Sequence, residues 1–287
     1  MSGSVAPPPQ DHRYGNHPSQ FVRVHRPAGG ADVPVVLVIH GGFWRQRYGI
    51  EYADPLCRNL IQFGVAAAAV EYRRVVEYGR VGRSFEDPAG GPSDDPAGGG
   101  WPMTLVDICA AVDSLAFVRE QPGCSRLDCS RVIALGHSAG GHLAGWLAHR
   151  GSLPPGAPGA VAPGGHQVPI LGAVCQAPVM DLLIAAEQQV GGHAVPDLLG
   201  GSPNSVAERY SHASPVGYVG DGARITLVHG TDDHEVPVDQ SRRYAAAATA
   251  AGDPVELIEI PDVSHYELID PGHRAWNICR QSVLLML

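Results

Sequence analysis

The sequence predicts an α/β fold, a mostly parallel central sheet with helices on both faces, and three observations carry that prediction. Short continuous apolar runs recur along the chain, as expected of strands covered on both sides. Between them lie segments whose apolar residues return at helical spacing. The 287 residues bury enough surface for one α/β domain.

In chain order, residues 1–20 are polar and proline-rich and read as a flexible lead-in to a single domain spanning 21–287. Strands are expected at 21–25, 35–39 and 65–70, with a helix at 52–63 between the last two. A helix at 104–119 turns Leu105, Ile108, Val112 and Leu115 to one side. Strand 131–135 leads into a helix at 138–149, followed by strands at 171–175, 224–228 and 255–260. Helices at 238–251 and 272–286 complete the alternation, which favours parallel pairing with right-handed crossovers. Two stretches break the pattern. Residues 84–100 repeat Asp-Pro-Ala-Gly-Gly at 87–91 and 95–99, an inserted loop that reads either as solvated or, because Trp101 follows it closely, as a lid. Residues 151–166, rich in Pro and Gly, read as a solvated loop, and 181–214 as a small cap.

Composition excludes several function classes. The net charge of −9 opposes nucleic-acid binding, which needs clustered Lys and Arg. No apolar run is long enough for a bilayer, and the first twenty residues lack the apolar core of a secretory signal. The six cysteines fall mostly in apolar segments and read as buried thiols of a cytoplasmic protein. No zinc spacing, Walker motif or dinucleotide fingerprint occurs, so neither metal nor organic cofactor is expected. A homodimer through the final helix is compatible with the sequence and not required by it.

The chemistry gathers around Gly136-His137-Ser138-Ala139-Gly140, the one Gly-x-Ser-x-Gly of the chain, between a strand and a helix. A serine at such a turn is pushed clear of the sheet, and small neighbours let the backbone pass close to itself. Serine needs a base, and the base an orienting acid. Asp233, after strand 224–228, and His265, after strand 255–260, follow in the order Ser, Asp, His that this architecture uses. Asp232 competes as the acid; spacing to Val236-Pro237 favours Asp233. His234 adjoins the acid and His273 starts the last helix, which leaves His265 as the base. At the end of strand 35–39 stands His40-Gly41-Gly42-Phe43-Trp44. Its glycines allow backbone N–H groups to face a developing oxyanion, and the assigned donors are Gly42, Phe43 and Ala139. Trp44 and Trp101, with Phe43, are assigned to an apolar acyl or aryl site. His137 is assigned to the same substrate-binding wall, its ring turned away from the serine.

From residue 21 onward the chain resembles the α/β-hydrolases. Within that fold, the His40-Gly41-Gly42-Phe43-Trp44 motif resembles the HGGxW loop of kynurenine formamidases and related esterases. Gly100-Trp101-Pro102, residues 136–141 and His265-Tyr266-Glu267-Leu268-Ile269-Asp270-Pro271 are similar to that group as well. The resemblance implies Ser138, Asp233 and His265 as a triad beside the donors named above. Because the group mixes arylformamidases with carboxylesterases, it implies a small-molecule ester or amide substrate without choosing between them. The expected activity is hydrolysis of a carboxylic ester through an acyl-enzyme. Arylformamide hydrolysis and a non-catalytic ligand-binding role are the alternatives.

Overall fold

The computed structural model describes residues 5–29, 32–76, 98–161 and 164–287. Its strands are β1 (Gln10–Arg13), β2 (Phe21–His25), β3 (Val33–Ile39), β4 (Ala66–Glu71), β5 (Leu127–His137), β6 (Ile170–Gln176), β7 (Ile225–Gly230) and β8 (Val255–Ile260). Its helices are α1 (Asp54–Leu60), α2 (Met103–Val118), α3 (Ala139–Ala148), α4 (Leu182–Glu187), α5 (Ala194–Leu199), α6 (Ala207–Ala213), α7 (Asp239–Ala251) and α8 (Arg274–Met286). Among the described residues the eight strands form one sheet in the order β1-β2-β4-β3-β5-β6-β7-β8. β1, β2 and β4 pair antiparallel, and every pairing from β4 through β8 is parallel.

Side-chain alternation divides the core into two layers. In β3, Val35, Leu37 and Ile39 join a cluster with α2, α3 and α7. Val36 and Val38 turn to the opposite face, beneath α1 and α8. The runs read as buried on both sides are therefore apolar throughout because each face has its own helical cover. The inward stripe of α2 behaves as its spacing requires, with Leu105, Ile108, Val112 and Leu115 all buried. Burial of such side chains stabilises the fold by roughly 1.5–3 kcal/mol apiece. On the other face the alanines of β4, Ala67 and Ala69, pack with Leu56, Cys57 and Leu60 of α1.

The lead-in differs from its expectation. Residues 10–13 form β1, whose Gln10–Arg13 register runs antiparallel against Val24–Phe21. Its sequence is polar on both faces because it is an edge strand with little apolar cover, so hydrophobic periodicity has nothing to report. Behind it, Tyr14 donates to the Glu71 carbonyl at 2.6 Å and Gln20 to Asp107 at 2.7 Å. Asp107 is also gripped by Arg73 at 2.7 and 2.9 Å, so the polar run after β4 is tied into ion pairs. Arg74 and Glu71 form the second of these. The 84–97 part of the proposed lid lies outside the described residues. Segment 181–214 holds the short helices α4, α5 and α6. Leu198, Leu199 and Tyr210 of that segment are buried in the main core cluster. All six cysteines are free and buried.

Candidate active site

β5 occupies the middle of the parallel region, between β3 and β6, and Ser138 follows its last residue. The serine backbone takes φ 56° and ψ −120°, a conformation that L-residues adopt only when their surroundings force it. Two contacts supply that force. The Ser138 N–H donates to the Gln176 carbonyl at 2.8 Å, and the Ser138 carbonyl accepts from His142 at 3.0 Å. α3 then packs against the end of β3 so closely that only glycine fits at 140. A Cβ there would sit 2.1 Å from the Ile39 oxygen and 2.5 Å from that of His40.

The loop after β3 approaches the same turn. A Cβ at Gly41 would lie 3.1 Å from Cβ of Ser138. Gly42, Phe43 and Trp44 all have left-handed backbone, with φ of 106°, 52° and 56°. For the two non-glycines this costs roughly 1–2 kcal/mol each, a strain found where a fold over-determines a working loop. Among the hydrogen bonds of the described residues, none uses the N–H groups of Gly42, Phe43 or Ala139 as donors. His40 holds the loop's entry. Its Nδ1–H donates to the Gly41 carbonyl at 2.8 Å, its ring stacks on Tyr72 at 4.5 Å, and the Tyr72 hydroxyl donates to the His40 carbonyl. Burial, aided by the Arg74 guanidinium, pushes the His40 imidazole down to about 3, so the ring is neutral.

Asp233 and His265 meet across the ends of β7 and β8. Oδ2 of Asp233 accepts from Nδ1 of His265 at 2.6 Å. Its other oxygen accepts from the N–H groups of Glu235 and Val236, both at 2.9 Å. Burial by itself would raise this carboxyl, but the His229 and His265 imidazoles and the Val236 N–H outweigh it and hold Asp233 well below the carboxylate range. Because a carboxylate only accepts, Nδ1 of His265 carries the proton and Nε2 presents a lone pair. The rival acid, Asp232, is exposed and lies 3.5 Å from the exposed His234. His273 caps α8, its Nδ1 accepting from Ala275.

The ring of His137, the residue before the serine, lies 4.4 Å from that of His265, which sets the base beside the elbow. No hydrogen bond joining Ser138 to Nε2 of His265 is among those of the described residues. Such bonds often tighten only around substrate.

The four residues assigned to the substrate wall fare differently. Trp44 has no accessible surface and packs edge-on to His142 at 5.2 Å, so it belongs to the core; a large aromatic finds more to bury there than at a mouth. Trp101 is half-buried, donates its main-chain N–H to the Leu198 carbonyl at 2.7 Å and stacks its ring on His212 at 6.3 Å, against segment 181–214. His137 is buried and donates through Nε2 to the His265 carbonyl at 3.0 Å, which occupies it with the protein. Phe43 packs against Gly191 of segment 181–214, where an added Cβ would come within 2.3 Å of its ring. Sequence reasoning missed His229, fully buried with Nε2 at 3.4 Å from Asp233. It also missed Tyr266, exposed and edge-on to His265 at 5.3 Å. The position of His229 at the end of β7, the strand that leads to the acid, was the available signal.

A parallel sheet with a strained serine between its central strand and the next helix, and acid and histidine at later strand ends, defines the α/β-hydrolase fold. Residues 98–247, just over half of the chain, match the family model described as BD-FAE, and the chain belongs to that family. It is 26% identical to esterase LipQ of Mycobacterium tuberculosis over 247 residues, covering 83% of this chain and 51% of LipQ. The chain thus spans about half the length of that curated relative. Among solved structures, a truncated carbohydrate esterase from gut microbiota superposes with a TM-score of 0.75 at 17% identity, over 99% of this chain and 98% of that one. An acetyl ester-xyloside bifunctional hydrolase from Caldicellulosiruptor lactoaceticus gives 0.71 at 21%, over 99% and 97%. At such identities these structures share the fold. No helix among the described residues is long and apolar enough to cross a membrane.

Proposed function

We propose that the chain is a serine hydrolase that cleaves carboxylic esters of small or medium size through an acyl-enzyme. The observation that carries this reading is the buried Asp233–His265 pair at 2.6 Å, with the His265 ring packed beside a strained elbow serine. Nε2 of His265 takes the Ser138 proton as the hydroxyl oxygen attacks the ester carbonyl. Gly42, Phe43 and Ala139 donate N–H groups to the resulting oxyanion. His265 returns the proton to the departing alcohol, and water activated by the same nitrogen then releases the acid and regenerates Ser138. Asp233 keeps the imidazole in the required tautomer throughout. No step calls for a metal or organic cofactor. Segment 181–214 acts as a small cap, since it packs on Phe43 and Trp101. Kinship with esterase LipQ and with carbohydrate esterases supports ester over amide. Six free, buried cysteines agree with a reducing cytoplasm.

The test is a panel of short and medium p-nitrophenyl esters together with an N-formyl arylamine, assayed on the purified protein. Esters are hydrolysed faster, an active-site phosphonate labels Ser138, and Ser138→Ala lowers kcat by ~10⁶. Faster turnover of the formamide would move the assignment to an arylformamidase. Near wild-type activity in Ser138→Ala, or no labelling, would end the serine mechanism.

A further inference from the structure

The sheet brings a second pair of polar side chains to the base. Alternation puts Ile133 and Leu135 of β5 and Val174 of β6 on the face covered by α8. His137 and Gln176, the last residues of the two strands, fall on that face by the same alternation. They are register partners, side by side across the pair. Above them lies the segment bearing His265, a 3-10 turn at Tyr266–Ile269 that no sheet ladder holds. Each sends one donor up to it. Nε2 of His137 reaches the His265 carbonyl at 3.0 Å, and the Gln176 amide nitrogen reaches the Leu268 carbonyl at 2.6 Å. The main-chain carbonyl of Gln176 meanwhile accepts the Ser138 N–H at 2.8 Å. On its other edge, His137 faces the His40–Gly42 loop: a Cβ at Gly41 would lie 3.2 Å from Nδ1.

We propose that His137 and Gln176 are positioning residues, a two-point clamp that fixes the height and direction of the His265 ring above Ser138. The inference rests on the reading of Ser138 as nucleophile and His265 as base. Asp233 holds one edge of the His265 ring and leaves the backbone that carries it undetermined. Two hydrogen bonds to carbonyls three residues apart remove that freedom, and both originate from strand ends that flank the nucleophile. Nucleophile and base are thereby referred to the same two residues. The clamp also needs an uncharged His137, because the neighbouring ring becomes an imidazolium during turnover. Burial first, and His265 second, keep His137 neutral by pushing its imidazole well below the ordinary value. A base misplaced by an ångström loses up to about 10²-fold in rate.

His137→Leu and Gln176→Met remove each donor while keeping most of the bulk, and His137→Gln restores an N–H near the position of Nε2. On a short p-nitrophenyl ester, His137→Leu and Gln176→Met are expected to lower kcat by ~10–100-fold with KM within about 3-fold. His137→Gln recovers most of the loss. In a His265→Ala background, where no ring remains to be aimed, His137→Leu and Gln176→Met cost less than about 2-fold more. Equal losses in both backgrounds, or a His137→Gln variant as slow as His137→Leu, would overturn the clamp. If His137→Leu does not fold, Gln176→Met in the two backgrounds decides by the same comparison. Failure of the parent reading looks different: His265→Ala would then retain near wild-type activity by itself.

Discussion

At the scale of single residues, the site assigns different work to adjacent, chemically identical side chains. Asp232 and Asp233 differ only in where the turn after β7 points them, one into solvent and one under His265. Asparagine at 233 can still accept from the N–H groups of Glu235 and Val236. Its amide nitrogen, however, would face Nδ1 of His265 and select the tautomer with the proton on Nε2, which cannot accept from Ser138. Asp233→Asn is therefore expected to lower kcat by about 10⁴-fold with little change in fold, as in other triads with this replacement. Asp232→Asn is expected to change kcat less than about 2-fold, because surface substitutions rarely reach beyond their own neighbourhood. Steady-state kinetics on one ester reads both, and equal losses would mean the carboxylates had been assigned the wrong way round. The same scale shows why His137 was misread. Residue type and proximity to the serine suggest a substrate contact, whereas its partner is a backbone carbonyl 128 positions away that leaves no trace in composition or spacing.

Between elements, the decisive contact is the approach of α3 to the end of β3, which brings the nucleophile and the His40–Trp44 loop together. Gly140→Ala places a methyl 2.1 Å from the Ile39 oxygen, and backbone on both sides leaves it nowhere to turn. Stability is expected to fall by roughly 1–3 kcal/mol, as for other forced overpacking. Activity is expected to fall by ~10²-fold as donors and nucleophile separate. Gly151 is the matched control, in open space with ordinary backbone, and Gly151→Ala is expected to stay within about 0.5 kcal/mol of wild type. Melting curves and kcat on the two variants measure the contrast; a Gly140→Ala enzyme as stable and fast as Gly151→Ala would refute the packing argument. Strands such as β2 and β8 were legible residue for residue because Phe, Val, Leu and Ile recur in them among single polar residues, a pattern that ends where the strands end. β5 begins earlier than its apolar run, at Leu127, because Asp128, Ser130 and Arg131 interrupt the apolar pattern while Leu127 and Cys129 between them are buried in the core. β1 was not legible at all, since an edge strand of Gln, Asp, His and Arg has no buried face to advertise.

Over the whole molecule, the sequence revealed the layers and the nucleophile, where local pattern and burial coincide. It was silent on which histidines sit inside. His40, His137 and His142 are all buried, and each donates to a backbone carbonyl. Burial pushes His142 down to about 4 and, with Arg74, His40 to about 3. His137 is likewise held well below its ordinary value. All three rings are neutral in the folded chain at pH 5.5, while in the unfolded chain they protonate near pH 6.5. The unfolded state therefore binds more protons, and stability rises with pH across that window. The contribution is complete above about pH 6.5 and is lost as pH falls through it toward 4 and 3. Asp233, a depressed carboxylate, has the same sign but acts only below the ordinary Asp range near 4. Acid loss of stability is thus expected to begin near pH 6.5, more than two units before carboxylate protonation would start it. Each ring costs roughly 1 kcal/mol between pH 7.5 and 5.5. Denaturant midpoints at those two pH values measure the drop, and His142→Gln, which can keep a donor for the Ala213 carbonyl, is expected to reduce it by about one ring's share. An unchanged midpoint between pH 7.5 and 5.5 would show that these rings are not held neutral by the fold.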